Sequence, residues 1–275
     1  MRLGISGRRR QILIAVSVVL ATVLGAAGAV GYLTFVRSPA DAPGKACRDG
    51  RPAHDGPVVV AAGASMTQGT LGADWVGALR ERPEFAGHRF VNAGVNGDTA
   101  ADLLDRLDSD VLACRPDTVV VLVGTNDVRG ETPLDEYRDH LDAIVGRLTA
   151  AGGIRVALMS LPPMGEDLDT RINHELADYN RIIAETAAHH DIDYLPLHER
   201  MSDLVRREGN PRSDNDFSFA LAFGAATRHY LFRQSWDQAA HSNGLNIFVD
   251  NIHLSDRGGA VVIDLVSHWL ASAGH

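Results

Sequence analysis

Short apolar runs and longer amphipathic stripes alternate along most of this chain. Val58-Val59-Val60-Ala61-Ala62 is an unbroken apolar run ending in Gly63, the pattern of a strand buried on both faces. Arg89-Phe90-Val91-Asn92 predicts a weaker strand, and Thr118 to Val123, β-branched almost throughout and closed by Gly124, a stronger one. Ile154 to Ser160 predicts a fourth, stopped by Pro162 and Pro163. Ile192 to Leu197 predicts a fifth, whose Pro196 puts its end at a sheet edge or a bulge. Between the strands lie stripes at helical spacing. They comprise Leu103, Leu104, Leu107, Val111 and Leu112; then Tyr137, Leu141, Ile144, Val145 and Leu148; then Leu176, Tyr179, Ile182 and Ile183. A last helix is expected over Ala260 to Ala271. Strands alternating with helices of this length imply an α/β fold: a three-layer α/β/α sandwich around a mostly parallel five-stranded sheet.

Two segments break the alternation. Arg2, Arg8, Arg9 and Arg10 precede an uncharged stretch from Ile12 to Val36, and Arg37 follows. A helix needs about 20 apolar residues to cross a bilayer, and basic residues on its N-terminal flank keep that end cytoplasmic. The same basic head, apolar middle and small residues Ala26 to Ala29 also fit a cleavable signal peptide. The apolar run continues through Val30, Tyr32, Leu33 and Phe35, which favours an uncleaved anchor. Either way the remainder is expected outside the cytoplasm, anchored by a single pass or secreted. The second segment, about 210–248, holds Phe217, Phe219, Phe223, Tyr230, Phe232, Trp236 and Phe248. It reads either as a helix packed on the core or as an insertion that shapes a substrate pocket. The expected organisation is a basic cytoplasmic tail (1–10), an anchor or signal peptide (11–36), a Pro- and Gly-rich linker (37–56) and one folded domain (57–275).

A length of 275 residues suits one sizeable core. The net charge of −9 removes any reason to expect a nucleic-acid partner, which calls for a clustered basic face. Cys47 and Cys114 are the two cysteines. Outside the cytoplasm they can form one bridge, or stand as two unrelated thiols, since spacing alone gives no distance.

In open parallel sheets, ligands sit beyond the carboxyl ends of the strands. Four polar or glycine-rich stretches fall at such places: Gly63-Ala64-Ser65-Met66, Asn92-Ala93-Gly94-Val95-Asn96-Gly97, Gly124-Thr125-Asn126-Asp127, and Asp250-Asn251-Ile252-His253 ahead of the last helix. Singly each is weak. A serine after a strand is usually a helix cap, an asparagine there usually closes a turn, and Asp-x-x-His is often a surface pair. Together and in this order they are specific.

The set resembles the SGNH/GDSL hydrolase superfamily, with Val121 to Asp127 its most specific stretch. One residue departs from the pattern: Ala64 stands where an aspartate usually precedes the serine. The resemblance implies a flavodoxin-like fold and ester hydrolysis, with Ser65 as nucleophile, His253 as general base and Asp250 orienting it. It further implies an oxyanion hole from the backbone N–H groups of Ser65 and Gly94 and the side-chain amide of Asn126. The substrate is then an acyl ester of a carbohydrate, a lipid or a small alcohol. Two other readings keep the same residues: an acyltransferase with the same triad, and a glycan-binding module without catalysis. An α/β-hydrolase elbow requires G-x-S-x-G, and Thr67 occupies its last position. No cofactor is expected. His174, His189 and His190 lack ligand partners at metal-binding spacing.

Overall fold

A computed structural model of the chain describes residues 7–47, 56–211 and 217–272. Arg2, positions 48–55 of the expected linker and positions 212–216 of the aromatic stretch lie outside the described residues.

The five expected strands form one sheet: β1 (Val58–Gly63), β2 (Arg89–Gly94), β3 (Thr118–Leu122), β4 (Arg155–Met159) and β5 (Asp193–Leu195). Their order is β2-β1-β3-β4-β5, and every pairing is parallel. β1 and β3 are central, and their residues from Val58 to Gly63 and from Val119 to Leu122 are buried throughout, as continuous apolar runs require. β5 is short and lies at the edge, where Pro196 removes no ladder hydrogen bond.

Helix α1 (Gly7–Gly31) runs into a π-helical turn over Tyr32–Val36, and α2 (Pro43–Ala46) follows. After β1 come α3 (Ser65–Gln68) and α4 (Trp75–Arg80). After β2 come α5 (Ala100–Asp105) and α6 (Leu107–Asp110), and after β3 α7 (Thr125–Arg129) and α8 (Leu134–Ala150). The remaining helices are α9 (Arg171–His189), α10 (Leu197–Glu208), α11 (Phe219–Phe232), α12 (Trp236–Ser242) and α13 (Asp256–Ala271). Helices α5, α8 and α9 pack in series, while α13 packs on α4, α10 and α12. The chain reverses direction across the sheet after β2. With the right-handed crossovers usual for parallel strands, that reversal puts these two groups on opposite faces and completes the sandwich.

Two expectations need correction. The stripe from Leu103 to Leu112 is not one helix. It is α5, α6 and a 3-10 turn over Leu112–Cys114, because Arg106 leaves helical geometry at φ −101° while its guanidinium bonds the Gly63 carbonyl and Asp98. Residues 37–47 are not a free linker either. Asp41 accepts the N–H of Asn92 and pairs with Arg80, Gln68 donates to the Arg37 carbonyl, and Arg89 donates to that of Ala46. Cys47 is joined to Cys114 by a disulfide, with Cα atoms 5.0 Å apart.

The aromatic stretch builds a second, smaller apolar cluster. Val30, Leu71, Ala222, Ala225, Ala226, Trp236, Ala239 and Val249 are buried together, with Phe35, Phe217, Phe223 and Tyr230 against them. α11 therefore packs on the foot of α1, and Phe219 stacks on Phe35 with ring centroids 5.2 Å apart.

Candidate active site

Ser65 is the first residue of α3, directly beyond β1. The turn is tight enough to demand glycines around it. A side chain at Gly63 would collide with the Leu122 carbonyl, and one at Gly94 would collide with the backbone of Thr67 and Gln68. Asn92 braces the same turn from β2. Its amide donates to the Thr67 carbonyl at 2.8 Å, and its oxygen accepts the N–H of Gly94 at 3.0 Å.

Asp250 and His253 lie on the loop ahead of α13, closed on itself by Val249 N–H to the His253 carbonyl (2.7 Å) and Ser255 N–H to that of Ile247 (3.0 Å). Asn251 takes a left-handed φ of 69° at the bend, a conformation asparagine tolerates better than most residues. The loop delivers the imidazole to the serine: His253 Nε2 is 2.9 Å from Ser65 Oγ. Its Nδ1 lies 2.8 Å and 3.0 Å from the two oxygens of Asp250. Asp250 is fully buried, and it also accepts the N–H groups of His253 (2.9 Å) and Ile252 (3.3 Å). With one carboxylate oxygen committed to the loop backbone as well as the ring, the imidazole has little freedom to rotate.

Glu166, which sequence reasoning missed, holds this loop from below. One carboxylate oxygen accepts three successive N–H groups, those of Asn246 (2.8 Å), Ile247 (2.6 Å) and Phe248 (3.1 Å), and the other accepts that of Asn210 (2.6 Å). It is 2% exposed, so these bonds form away from competing water. The one available sequence signal was an acidic residue directly after the strand-ending Pro162-Pro163-Met164-Gly165.

Ser65, His253, Asn126 and Gly97 line one cavity of about 240 Å³ with Phe35, Leu71, Asn96, Arg129, Phe217 and Ile252. The Arg129 guanidinium lies over the Phe217 ring, 4.6 Å from its centroid. A larger hollow of about 400 Å³, reaching Lys45 and Arg106, shares Phe35 and Asn96 but does not touch Ser65. Ser65 and His253 open onto the smaller one.

The expected oxyanion donors separate here. The Asn126 amide faces the cavity and spends one hydrogen on the Asp98 carbonyl at 2.8 Å, leaving its second. The N–H of Ser65, at the start of α3, is donated to no described residue. Gly94 is a correction. Its N–H is committed to Asn92 and it borders the larger hollow instead. Gly97, in a left-handed φ of 88°, is the glycine of that stretch that reaches the cleft, with its N–H unclaimed by any described residue. Below it, Asp98 pairs with Arg106 at 2.6 Å, although burial holds its carboxyl above the ordinary range against that attraction.

The family model described as GDSL-like Lipase/Acylhydrolase family matches residues 61–261. The chain belongs to this family. Within this GDSL-like chain, a 91-residue stretch is 36% identical to an acetylxylan esterase of Geobacillus stearothermophilus. That match covers 28% of this chain and 42% of the relative, so it spans less than half of the relative's length. Among solved structures, an acetyl xylan esterase superposes with a TM-score of 0.57 at 22% identity, covering 78% of this chain and 98% of that one. The lipase/acylhydrolase from Enterococcus faecalis gives 0.56 at 19% identity, over 79% and 96%. At these identities the likeness is one of fold.

Proposed function

We propose that this GDSL-like protein is a serine esterase that cleaves carboxylic esters through an acyl-serine intermediate. The observation that carries the reading is the unbroken hydrogen-bonded series from Ser65 Oγ through His253 to buried Asp250. In the reaction, His253 Nε2 takes the hydroxyl proton as Ser65 Oγ attacks the ester carbonyl carbon. The resulting oxyanion is met by the N–H of Ser65, the N–H of Gly97 and the free hydrogen of the Asn126 amide. His253 then returns the proton to the leaving alcohol. Water, activated the same way, releases the acid. Asp250 favours the tautomer with the proton on Nδ1 and stabilises the imidazolium that forms.

The cavity beside Ser65, about 240 Å³ with Phe35, Leu71 and Phe217 as apolar walls, lies below the range of about 300–1,000 Å³ usual for drug-sized ligands. That favours a short acyl group, in keeping with the acetyl esters named for the relatives.

The same reading includes export. Arg8–Val36 is a 29-residue helix, long and apolar enough to cross a membrane, behind a basic flank that stays cytoplasmic. In this proposal residues 1–10 are the cytoplasmic tail, 11–36 the anchor, and 57–275 an extracytoplasmic domain to which 37–47 are strapped. The disulfide suits an oxidising compartment.

Purified protein should turn over p-nitrophenyl acetate faster than longer-chain esters and be labelled at Ser65 by a fluorophosphonate. A Ser65→Ala variant matching the wild type in both assays would refute the assignment. Analysis of products with added alcohols separates hydrolysis from acyl transfer.

A further inference from the structure

The outer face of α11 has no protein partner among the described residues. Its fourteen residues, Phe219 to Phe232, contain no acidic residue, one arginine (Arg228) and one histidine (His229). The first nine, Phe219 to Thr227, are uncharged. A helix apolar all round belongs in a core or in lipid, yet only Ala222, Ala225 and Ala226 are buried in this one. Phe219 is 62% exposed and Leu231 43%, and Ala220 lies open beside them. From the flank of the helix Arg228 reaches round to Asn243, and Tyr230 donates to the Thr70 carbonyl. The polar groups thus find partners in the domain or on the helix itself, while Phe219, Ala220, Leu231 and Phe232 turn out.

What borders this face is the foot of α1. Val30 is buried in the cluster under α11, and Phe35 stacks on Phe219. From Gln11, where the anchor begins, to Val36 the helix described over Arg8–Val36 runs about 39 Å at 1.5 Å per residue, whereas the hydrocarbon core is about 30 Å thick. With Arg8, Arg9 and Arg10 held on the cytoplasmic side, the surplus is about 9 Å, so the last turns of the anchor, with α11 beside them, fall in the headgroup layer of the outer leaflet. Exposed Tyr32 and Arg37 stand at that level, as aromatic and basic residues do at membrane interfaces.

We propose that α11 lies in the outer leaflet as an interfacial helix, and that the mouth of the Ser65 cleft opens at the bilayer surface. This rests on the reading of α1 as an uncleaved anchor. The partner of the uncovered face is then lipid, and Phe35 and Phe217, which wall the cleft, bring it within reach of esters held at that surface.

The test uses the full chain in phospholipid nanodiscs. Because Cys47 and Cys114 are bridged, a single introduced cysteine takes a fluorophore alone. Four positions serve: Ala220→Cys and Leu231→Cys on α11, Leu20→Cys within α1, and Ala151→Cys ahead of β4 at the end of the sheet opposite the cleft. Nitroxide-bearing phospholipids should quench positions 220, 231 and 20 and spare 151. Loss of fluorescence at 20 but not at 220 and 231 overturns the proposal while leaving the anchor standing. No loss at 20 refutes the anchor itself. Protection of 220 and 231 that depends on protein concentration, without quenching by lipid, assigns the face to a second copy of the chain and also overturns it. Turnover of a soluble acetate ester by the same variants, none of which lines the cleft, shows separately whether the esterase reading holds.

Discussion

Glu166 accepts the backbone N–H of Ile247 at 2.6 Å, three residues ahead of Asp250. The bond is one of four that a single buried carboxylate makes to main-chain donors, and three of them fall on the residues leading into the loop that carries Asp250 and His253. Glu166→Gln keeps the shape but replaces one accepting oxygen with an NH₂ that faces a donor. A buried donor left unsatisfied costs about 1–3 kcal/mol. Urea unfolding should show a loss of that size. The turnover number should fall with it, because Asp250 and His253 lose their support while the cleft walls do not change. Unaltered stability and rate would show that the loop holds itself.

Gly94 and Asn126 should fail in different ways. Asn126→Ala removes an amide that, in the proposed mechanism, donates to the oxyanion; loss of one such donor typically lowers the rate by about 10²–10³, with KM little changed and only the bond to the Asp98 carbonyl lost from the fold. Gly94→Ala instead drives a Cβ into the backbone of α3. It should lower the melting temperature and the yield of folded protein before any kinetic effect can be read. A well-folded Gly94→Ala protein with only a slower turnover would restore Gly94 to the oxyanion hole.

Asp127 gives the protein a pH-dependent stability. Burial raises its carboxyl above the ordinary value of about 3.9, against the opposing hydrogen bond from the N–H of Ala100. The folded state therefore holds this proton to higher pH than the unfolded chain does. Its contribution is fully present below the ordinary value and is lost as the pH rises through the raised one. In urea titrations stepped upward from about pH 3.9, the stability of Asp127→Asn relative to wild type should increase and then level off. A difference that stays flat, or that falls with rising pH, would contradict a raised carboxyl at this position.

The Cys47–Cys114 bridge closes a span of 67 residues. In the chain-entropy account a loop of that length stabilises by about 4 kcal/mol. Paired Cys47→Ser and Cys114→Ser substitutions should therefore lower the midpoint of unfolding substantially. They should leave the soluble-ester rate near wild type, since neither cysteine lines the Ser65 cleft. A variant as stable as the parent would mean that contacts such as Asp41 with Arg80 already hold the strap.

The sequence by itself determined the sheet and the order of its chemistry. Runs such as Val58–Ala62 and Val119–Val123 are apolar on both faces, short and bounded by glycine, the pattern of a strand covered on both sides. The polar stretches beyond β1 and β3 brought out Ser65 and Asn126, because local pattern records which segments are buried and where they stop, while the roles expected of these two and of Asp250 and His253 came from the family resemblance of the whole set. Only the tertiary structure decided how residues far apart in the chain meet. It bound Gly94 to Asn92 and brought Gly97 into the cleft, set Glu166 beneath residues 246–248, joined Cys47 to Cys114, and laid the aromatic helix against the foot of α1. Each of those outcomes depends on how separate segments of the chain lie against one another, and such distances exist only once the chain has reversed and packed.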